Sequence, residues 1–221
     1  MYINKFLVFI LILINIISFV NSKIQIKESI IMPTYNRALF LDRSIQCILN
    51  QSLKEIELII VNECSTDNTN EVLSKYKNDS RVRIINLDKN AGQGNARNKG
   101  IMLARGEFIG FMDDDDYVDK QFYEKLYHYS KDKDVIVGTF LDCISDSKYC
   151  SYNIEQENYD STILDEVNYK TEGIYGFVIN SLWRRSFLKE NNILFPNLID
   201  PTKNIYEDRN FRIECYKKSQ E

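Results

Sequence analysis

The sequence predicts an α/β domain with a mostly parallel sheet flanked by helices. Three observations predict it. From Ser29 onward, short apolar runs alternate with longer segments of helical spacing, the pattern of βαβ crossovers. The short runs are continuously apolar rather than alternating, as strands covered on both faces require. Polar clusters follow three of them, at 33–37, 62–67 and 113–116. In such sheets the ligand binds outside the carboxyl ends of the strands.

The elements can be taken in order. Phe6 to Val20 (FLVFILILINIISFV) is almost wholly apolar, with Lys5 before it. As a helix it spans about 22 Å, short of a hydrocarbon core of roughly 30 Å. Residues 1–22 therefore read as a signal peptide cleaved after Ser22, with a short uncleaved anchor as the alternative. Either reading places the chain in the secretory pathway: the endoplasmic reticulum or Golgi lumen, or secreted. Membrane contact follows only if the segment stays in place. Ser29 to Met32 is then a buried strand stopped by Pro33, and Leu39 to Leu49 has helical spacing. Leu58 to Val61 is a second strand. Thr69 to Tyr76 is a helix with Asp67 placed to cap it. Val82 to Ile85, a helix over Ala91 to Ala104, and Phe108 to Met112 complete the series.

Beyond Asp134 the pattern loosens. Val135 to Phe140 reads as a strand, Asp142 to Asn153 as a hairpin or loop, and Glu172 to Leu182 as strand-like. Arg184 to Glu190 and Glu207 to Tyr216 read as helices. The chain thus reads as a single domain over 23–221. A nucleotide-binding half covers about 28–133 and an acceptor half about 134–221.

The bulk numbers fit that size and class. The chain has 221 residues, 44% hydrophobic and 27% charged, enough for one ordinary domain with a real core. Its net charge of −4, from 28 basic and 32 acidic residues, argues against a nucleic-acid partner held by a broad basic face. Five cysteines (Cys47, Cys64, Cys143, Cys150 and Cys215) form no C-x-x-C pair. Cys143 and Cys150 are candidates for a disulfide across the hairpin. The alternative is that all five are small buried thiols.

The sharpest chemical feature is Asp113-Asp114-Asp115-Asp116, directly after the strand ending at Met112. Two unit charges 4 Å apart repel by about 1 kcal/mol in water and about 4 kcal/mol at an effective dielectric of 20. Four carboxylates at the lip of a buried sheet therefore call for a cation, and a hard divalent ion with oxygen ligands suits them. The alternative is a solvated acidic turn. Asn62-Glu63 follows the second strand, where a carboxylate can accept hydrogen bonds from a ribose or a base. Gly92-Gln93-Gly94-Asn95-Ala96-Arg97 opens a helix, where backbone amides and Arg97 could meet a phosphate. His128, the sole histidine, lies on a predicted helix between Tyr127 and Tyr129 and reads as a structural or surface residue.

Three segments, SIIMPTYNRALFLDRSIQCILNQ, IELIIVNECSTDNT and NAGQGNARNKGIMLARGEFIGFMDDDD, closely resemble the family 2 glycosyltransferases of the GT-A fold. The resemblance covers about Glu28 to Leu126. It continues more weakly through LWRRSFLKENNILFPN to Tyr206-Glu207-Asp208. It implies a Rossmann-like GT-A domain that transfers a sugar, with inversion, from a UDP-sugar or other nucleotide-diphospho-sugar to a hydroxyl acceptor on a glycan, lipid or protein.

The resemblance also implies roles for residues. Pro33, Tyr35 and Arg37 line the nucleotide pocket, and Glu63 matches the acidic residue that reads uracil. Asp113 and Asp115 match the ends of the DXD motif, with Asp114 between them on the donor side. Asp115, with Asp116, holds Mn²⁺ or Mg²⁺, Arg97 supports the diphosphate, and Asp208 is the base. Two departures stand out. The usual acidic pair after the second strand is Asn62-Glu63 here, and 13 residues follow Asp208. The second departure makes the domain C-terminally short by the family's standard, and a catalytically inactive, secreted GT-A module is the alternative function.

Overall fold

A computed structural model of the chain describes residues 25–138, 178–196 and 207–219. The apolar N-terminal run, the expected hairpin over 142–153 and the Cys143–Cys150 pairing lie outside the described residues. Six strands form one sheet: β1 (Glu28–Thr34), β2 (Ile56–Asn62), β3 (Val82–Asn86), β4 (Phe108–Phe111), β5 (Val135–Val137) and β6 (Ser181–Arg184). Their order is β3-β2-β1-β4-β6-β5. The pairings among β1 to β4 are parallel, while β6 runs antiparallel to both β4 and β5. The strand order reverses between β1 and β4, so the carboxyl ends of those two strands flank the switch-point crevice.

Helices α1 (Ala38–Leu49), α2 (Thr69–Ser74) and α3 (Gln93–Leu103) make the three crossovers. α4 (Phe122–His128), α5 (Arg185–Glu190) and α6 (Glu207–Ser219) follow. The strands sort side chains by their period of two. Ile30 and Met32 of β1 face one core with Leu41, Ile45 and Ile48 of α1 and Phe122 of α4. Ile31 faces the other, with Ala96 of α3, Trp183 of β6 and Phe211 of α6. On that second face, Phe195 stacks on Phe211 at 4.2 Å between centroids, and Phe111 meets both rings edge-on. This apolar cluster docks α6 against the sheet.

Pro33 does not stop β1, which runs on to Thr34. The backbone nitrogen and carbonyl of Ile31 face β4, where its carbonyl accepts from Met112. By alternation Pro33 turns its nitrogen to the same side, where β4 has already ended at Phe111. The absent N–H therefore costs no ladder bond. α3 starts at Gln93 rather than Ala91, because Gly92 adopts φ +88° before the first turn. Of the stretch 172–182 expected to be strand-like, 172–177 lie outside the described residues and 178–180 form a bend and turn; only Ser181 and Leu182 belong to β6, which continues to Arg184 beside β4.

Candidate active site

The sheet's carboxyl edge gathers the polar residues. The β1 loop carries Tyr35, Asn36 and Arg37, the β2 loop carries Glu63 to Asp67, and the β4 loop carries the four aspartates. The first two loops are laced together. The Asn36 side-chain Oδ1 accepts from the Thr66 backbone amide at 2.7 Å, and the Asn36 backbone N–H donates to Ser65 Oγ at 3.0 Å. Asp67 accepts from Thr69 N at 3.0 Å and from Ala38 N at 3.1 Å. It therefore satisfies the starts of both α2 and α1, whose own N-cap residues make no side-chain cap. Asn36 and Cys64 hold left-handed backbone, φ 53° and 62°, at the two loop tips. Cys64 lies exposed and Cys47 is half-buried; of the three described cysteines only Cys215 is buried as expected.

The acidic turn is held by polar groups of α1, and the chain just after it by Gln51, two residues past the end of that helix. Ser44 Oγ lies 2.9 Å from the carbonyl of Asp114 and 2.8 Å from that of Asp116. Arg43 donates to the carbonyl of Asp115 at 2.8 Å, and Gln51 to that of Asp119 at 2.8 Å. Sequence reading missed these residues: Arg43 and Ser44 are adjacent and Gln51 lies beyond the end of α1, so no local pattern marks them as a set.

Charge is uneven across the turn. Burial, together with Asp115 and Asp113, pushes the Asp114 carboxyl up to about 6. Burial and the other three aspartates push Asp116 up to about 6. Arg37 stands half-exposed at the rim, 4.0 Å from Asp114 and 3.7 Å from Asp115. Tyr35 is also half-exposed there, while Pro33 lies beneath, inside β1.

Glu63 is buried, and burial raises its carboxyl above the usual range despite the amides of Gly92 and Ala91 beside it. Its Oε2 has no hydrogen-bond partner among the described residues. Asn62 departs from a carboxylate but is fully used: its Nδ2 donates to Asn70 and Asn86, and its Oδ1 accepts from Ser65 N.

Asp208 sits on the first turn of α6, and its carboxyl reaches the same edge. Arg97 of α3 donates to Asp208 Oδ1 at 2.5 Å, to Glu207 Oε1 at 3.1 Å and to Asp113 Oδ1 at 2.8 Å. Arg97 is 1% exposed. Burial opposes its charge, yet the three carboxylates outweigh burial and raise its pKa. Burial, with Asp113 and Glu207, pushes Asp208 up to about 6 against the lowering influence of Arg97. Glu207 also takes the amide of Gly94. A Cβ on Gly94 would stand 2.9 Å from Glu207 Oε2. The opening of α3, expected to offer its amides to a phosphate, thus spends them on the protein: the Gly92 N–H donates to Asn90 Oδ1 at 3.0 Å beside Glu63, and that of Gly94 serves Glu207.

Residues 29–191 match the family described as Glycosyl transferase family 2. The putative glycosyltransferase EpsH of Bacillus subtilis is 32% identical over 172 residues, which is 76% of this chain and 50% of that protein. The poly(ribitol-phosphate) beta-N-acetylglucosaminyltransferase TarS of Staphylococcus aureus is 27% identical over 197 residues, 87% of this chain and 33% of that protein. The crystal structure of S. aureus TarS 1–349 in complex with UDP is similar at a TM-score of 0.67 and 25% identity. It covers 87% of this chain and 55% of that chain. The same TarS segment in complex with UDP-GlcNAc gives 0.66 and 26%, covering 87% and 54%.

The GT-A architecture expected from the motifs is the one found. The chain spans from a third to about half the length of these curated relatives. The expected location in the secretory pathway is corrected. It rested on the apolar N-terminal run alone, and the relatives are bacterial glycosyltransferases, from cells without an endoplasmic reticulum or Golgi. No helix among the described residues is long and apolar enough to cross a membrane.

Proposed function

The chain belongs to glycosyl transferase family 2, and on that premise we propose that it transfers a sugar from a UDP-sugar to a hydroxyl acceptor. One observation carries the reading: Asp208 reaches the donor-side acidic turn from far along the chain, within reach of the guanidinium that also holds Asp113. A carboxylate for the acceptor and a turn for the diphosphate thus share one crevice at the switch point. The UDP and UDP-GlcNAc complexes of TarS support a uridine diphosphate donor and make UDP-GlcNAc the first sugar to try.

The turn suits a divalent cation chemically. Its donors are hard carboxylate oxygens, and positive charge would offset the burial and mutual repulsion that raise Asp114 and Asp116. No three His, Cys, Asp or Glu side chains among the described residues converge as a metal cluster. That fits an ion held by one or two carboxylates and otherwise by phosphate and water. Asp115, with Asp116, would hold Mn²⁺ or Mg²⁺. The bound ion would offset charge building on the leaving diphosphate.

The chain's own residues supply the remaining steps. Tyr35 and Arg37 border the nucleotide, and Glu63 faces its base from the β2 loop. Asp208, ionised at neutral pH, takes the proton of the acceptor hydroxyl as that oxygen attacks the anomeric carbon. Attack opposite the leaving diphosphate inverts the carbon in one displacement. A glycan, lipid or protein hydroxyl can serve as acceptor, and the TarS name adds poly(ribitol-phosphate) to the panel.

The test is UDP release from a panel of UDP-sugars by the full chain, with Mn²⁺, Mg²⁺ or chelator, beside Asp115→Ala and Asp208→Asn. Metal-dependent release that both substitutions reduce at least a hundredfold is the expected result. A folded sample that neither binds UDP nor releases it from any sugar overturns the reading.

A further inference from the structure

We propose that Arg97 is the positioning residue that sets the base-bearing turn of α6 against the acidic donor turn, and is not a ligand of the donor diphosphate. The inference rests on the glycosyl-transfer reading above.

Both terminal nitrogens of the buried Arg97 guanidinium are engaged by protein carboxylates. Nη1 serves Glu207 and Asp208, and Nη2 serves Asp113. The group also packs on the Phe195 ring, 5.3 Å from its centroid. A planar fork can hold carboxylates from two directions at once, which an ammonium on a flexible stem does less well. Three separate elements meet there: α3 supplies the cation, the end of β4 supplies Asp113, and α6 supplies the pair.

The rest of α6 docks by apolar contact through Phe211 and Cys215, both nearly fully buried. With Glu207 they recur every four residues along one helix face. Those contacts hold the helix but do not aim its first turn. Glu207 and Asp208 approach Asp113 there, so like charge would push the turn away. Arg97 reverses that repulsion. Phe195 is fixed in turn by reciprocal bonds with Asn98, one turn of α3 from Gly94: Nδ2 to the Phe195 carbonyl at 2.9 Å and the Phe195 amide to Oδ1 at 2.8 Å. The site's donor and acceptor halves are therefore joined through one face of α3.

The experiment uses the full chain with Mn²⁺ and the UDP-sugar it turns over. Arg97→Gln, Arg97→Lys, Asp208→Asn and the Arg97→Gln/Asp208→Asn double variant are compared by kcat, by UDP affinity from calorimetry and by thermal melting. Arg97→Gln is expected to lower kcat about 100-fold or more, with Arg97→Lys recovering part of the loss. UDP affinity is expected to stay within about threefold. In the Asp208→Asn background Arg97→Gln should change kcat less than about threefold, because both act at one step.

A tenfold loss of UDP affinity with kcat retained, or losses that multiply in the double variant, would overturn the proposal. Should Arg97→Gln fail to fold, Glu207→Gln loosens the same network from the helix side. It is expected to lower kcat about tenfold at unchanged UDP affinity, and an unchanged kcat counts against the proposal. Wild type that turns over no UDP-sugar defeats the functional reading instead. The placement itself is then judged by amide hydrogen exchange in Arg97→Gln, where residues 207–212 should exchange at least tenfold faster and α1 should not; equal protection refutes it.

Discussion

Replacing Gly100 by alanine sets two effects of known sign against each other. Alanine in a helix interior is favoured over glycine by about 1 kcal/mol. Here, however, the added Cβ would stand 2.4 Å from Ile31 Cγ2, 2.8 Å from Cγ1 and 3.0 Å from Cδ1. Carbon contacts are optimal near ~3.5–4.0 Å, so the methyl is an ångström or more too deep. Ile31 is fully buried in the central strand, and its carbonyl is tied to Met112 N at 3.1 Å. The strand cannot retreat, so α3 must move or strain.

Overpacking of this kind costs about 1–3 kcal/mol. At contacts this short the upper part of that range applies, about 2–3 kcal/mol; subtracting the propensity gain of about 1 kcal/mol leaves a net loss of about 1–2 kcal/mol, or a melting point lower by ~2–8 °C for a chain this size. Thermal and urea melts of wild type, Gly100→Ala, Ile31→Ala and the double variant test it, with exposed Lys99→Ala as a control expected within about 0.5 kcal/mol. Ile31→Ala removes the three clashing atoms, so the double variant should be more stable than the summed singles by at least about 1 kcal/mol. Because α3 carries Arg97 and Gly94, turnover should fall in Gly100→Ala below the melting range. A Gly100→Ala protein as stable as wild type would refute the close helix–strand approach.

Two further outcomes follow. Asp208 titrates near 6 in the folded chain, so the base is ionised above that pH and protonated below it. Turnover should lie near its plateau at pH 7 and fall about tenfold per unit below pH 6; a profile flat down to pH 5 removes Asp208 as the base. Glu28, fully buried with neither carboxylate oxygen finding a hydrogen-bond partner among the described residues, has its carboxyl held by burial well above the ordinary 4.5. Below 4.5 both folded and unfolded chains hold the proton. As pH rises past that value the unfolded chain ionises first, and folding stability is lost. Glu28→Met should therefore stabilise the chain by about 1–3 kcal/mol at pH 8 and by less toward pH 4.5. A variant with the wild-type pH dependence of melting would contradict this.

The sequence by itself determined the layered α/β order. LIIV and its counterparts can be buried only as strands covered on both faces, and the crossovers between them leave few topologies. It also marked the loops of interest, because a ligand edge collects polar residues where strands end, and the run of four aspartates is conspicuous in any reading. Only the tertiary structure decided how those loops work together. Ser44 and Gln51 look like incidental polar residues until α1 is laid against the acidic turn. Asp67 reads as one helix cap and proves to serve two. Pro33 looks like a strand terminator and is harmless, because β4 ends two residues earlier on that side. Arg97 reads as a phosphate ligand beside glycines, yet its guanidinium is directed at carboxylates brought from the end of β4 and from α6. Each of these turns on which distant groups share one small volume, and residue type and local spacing carry no record of that.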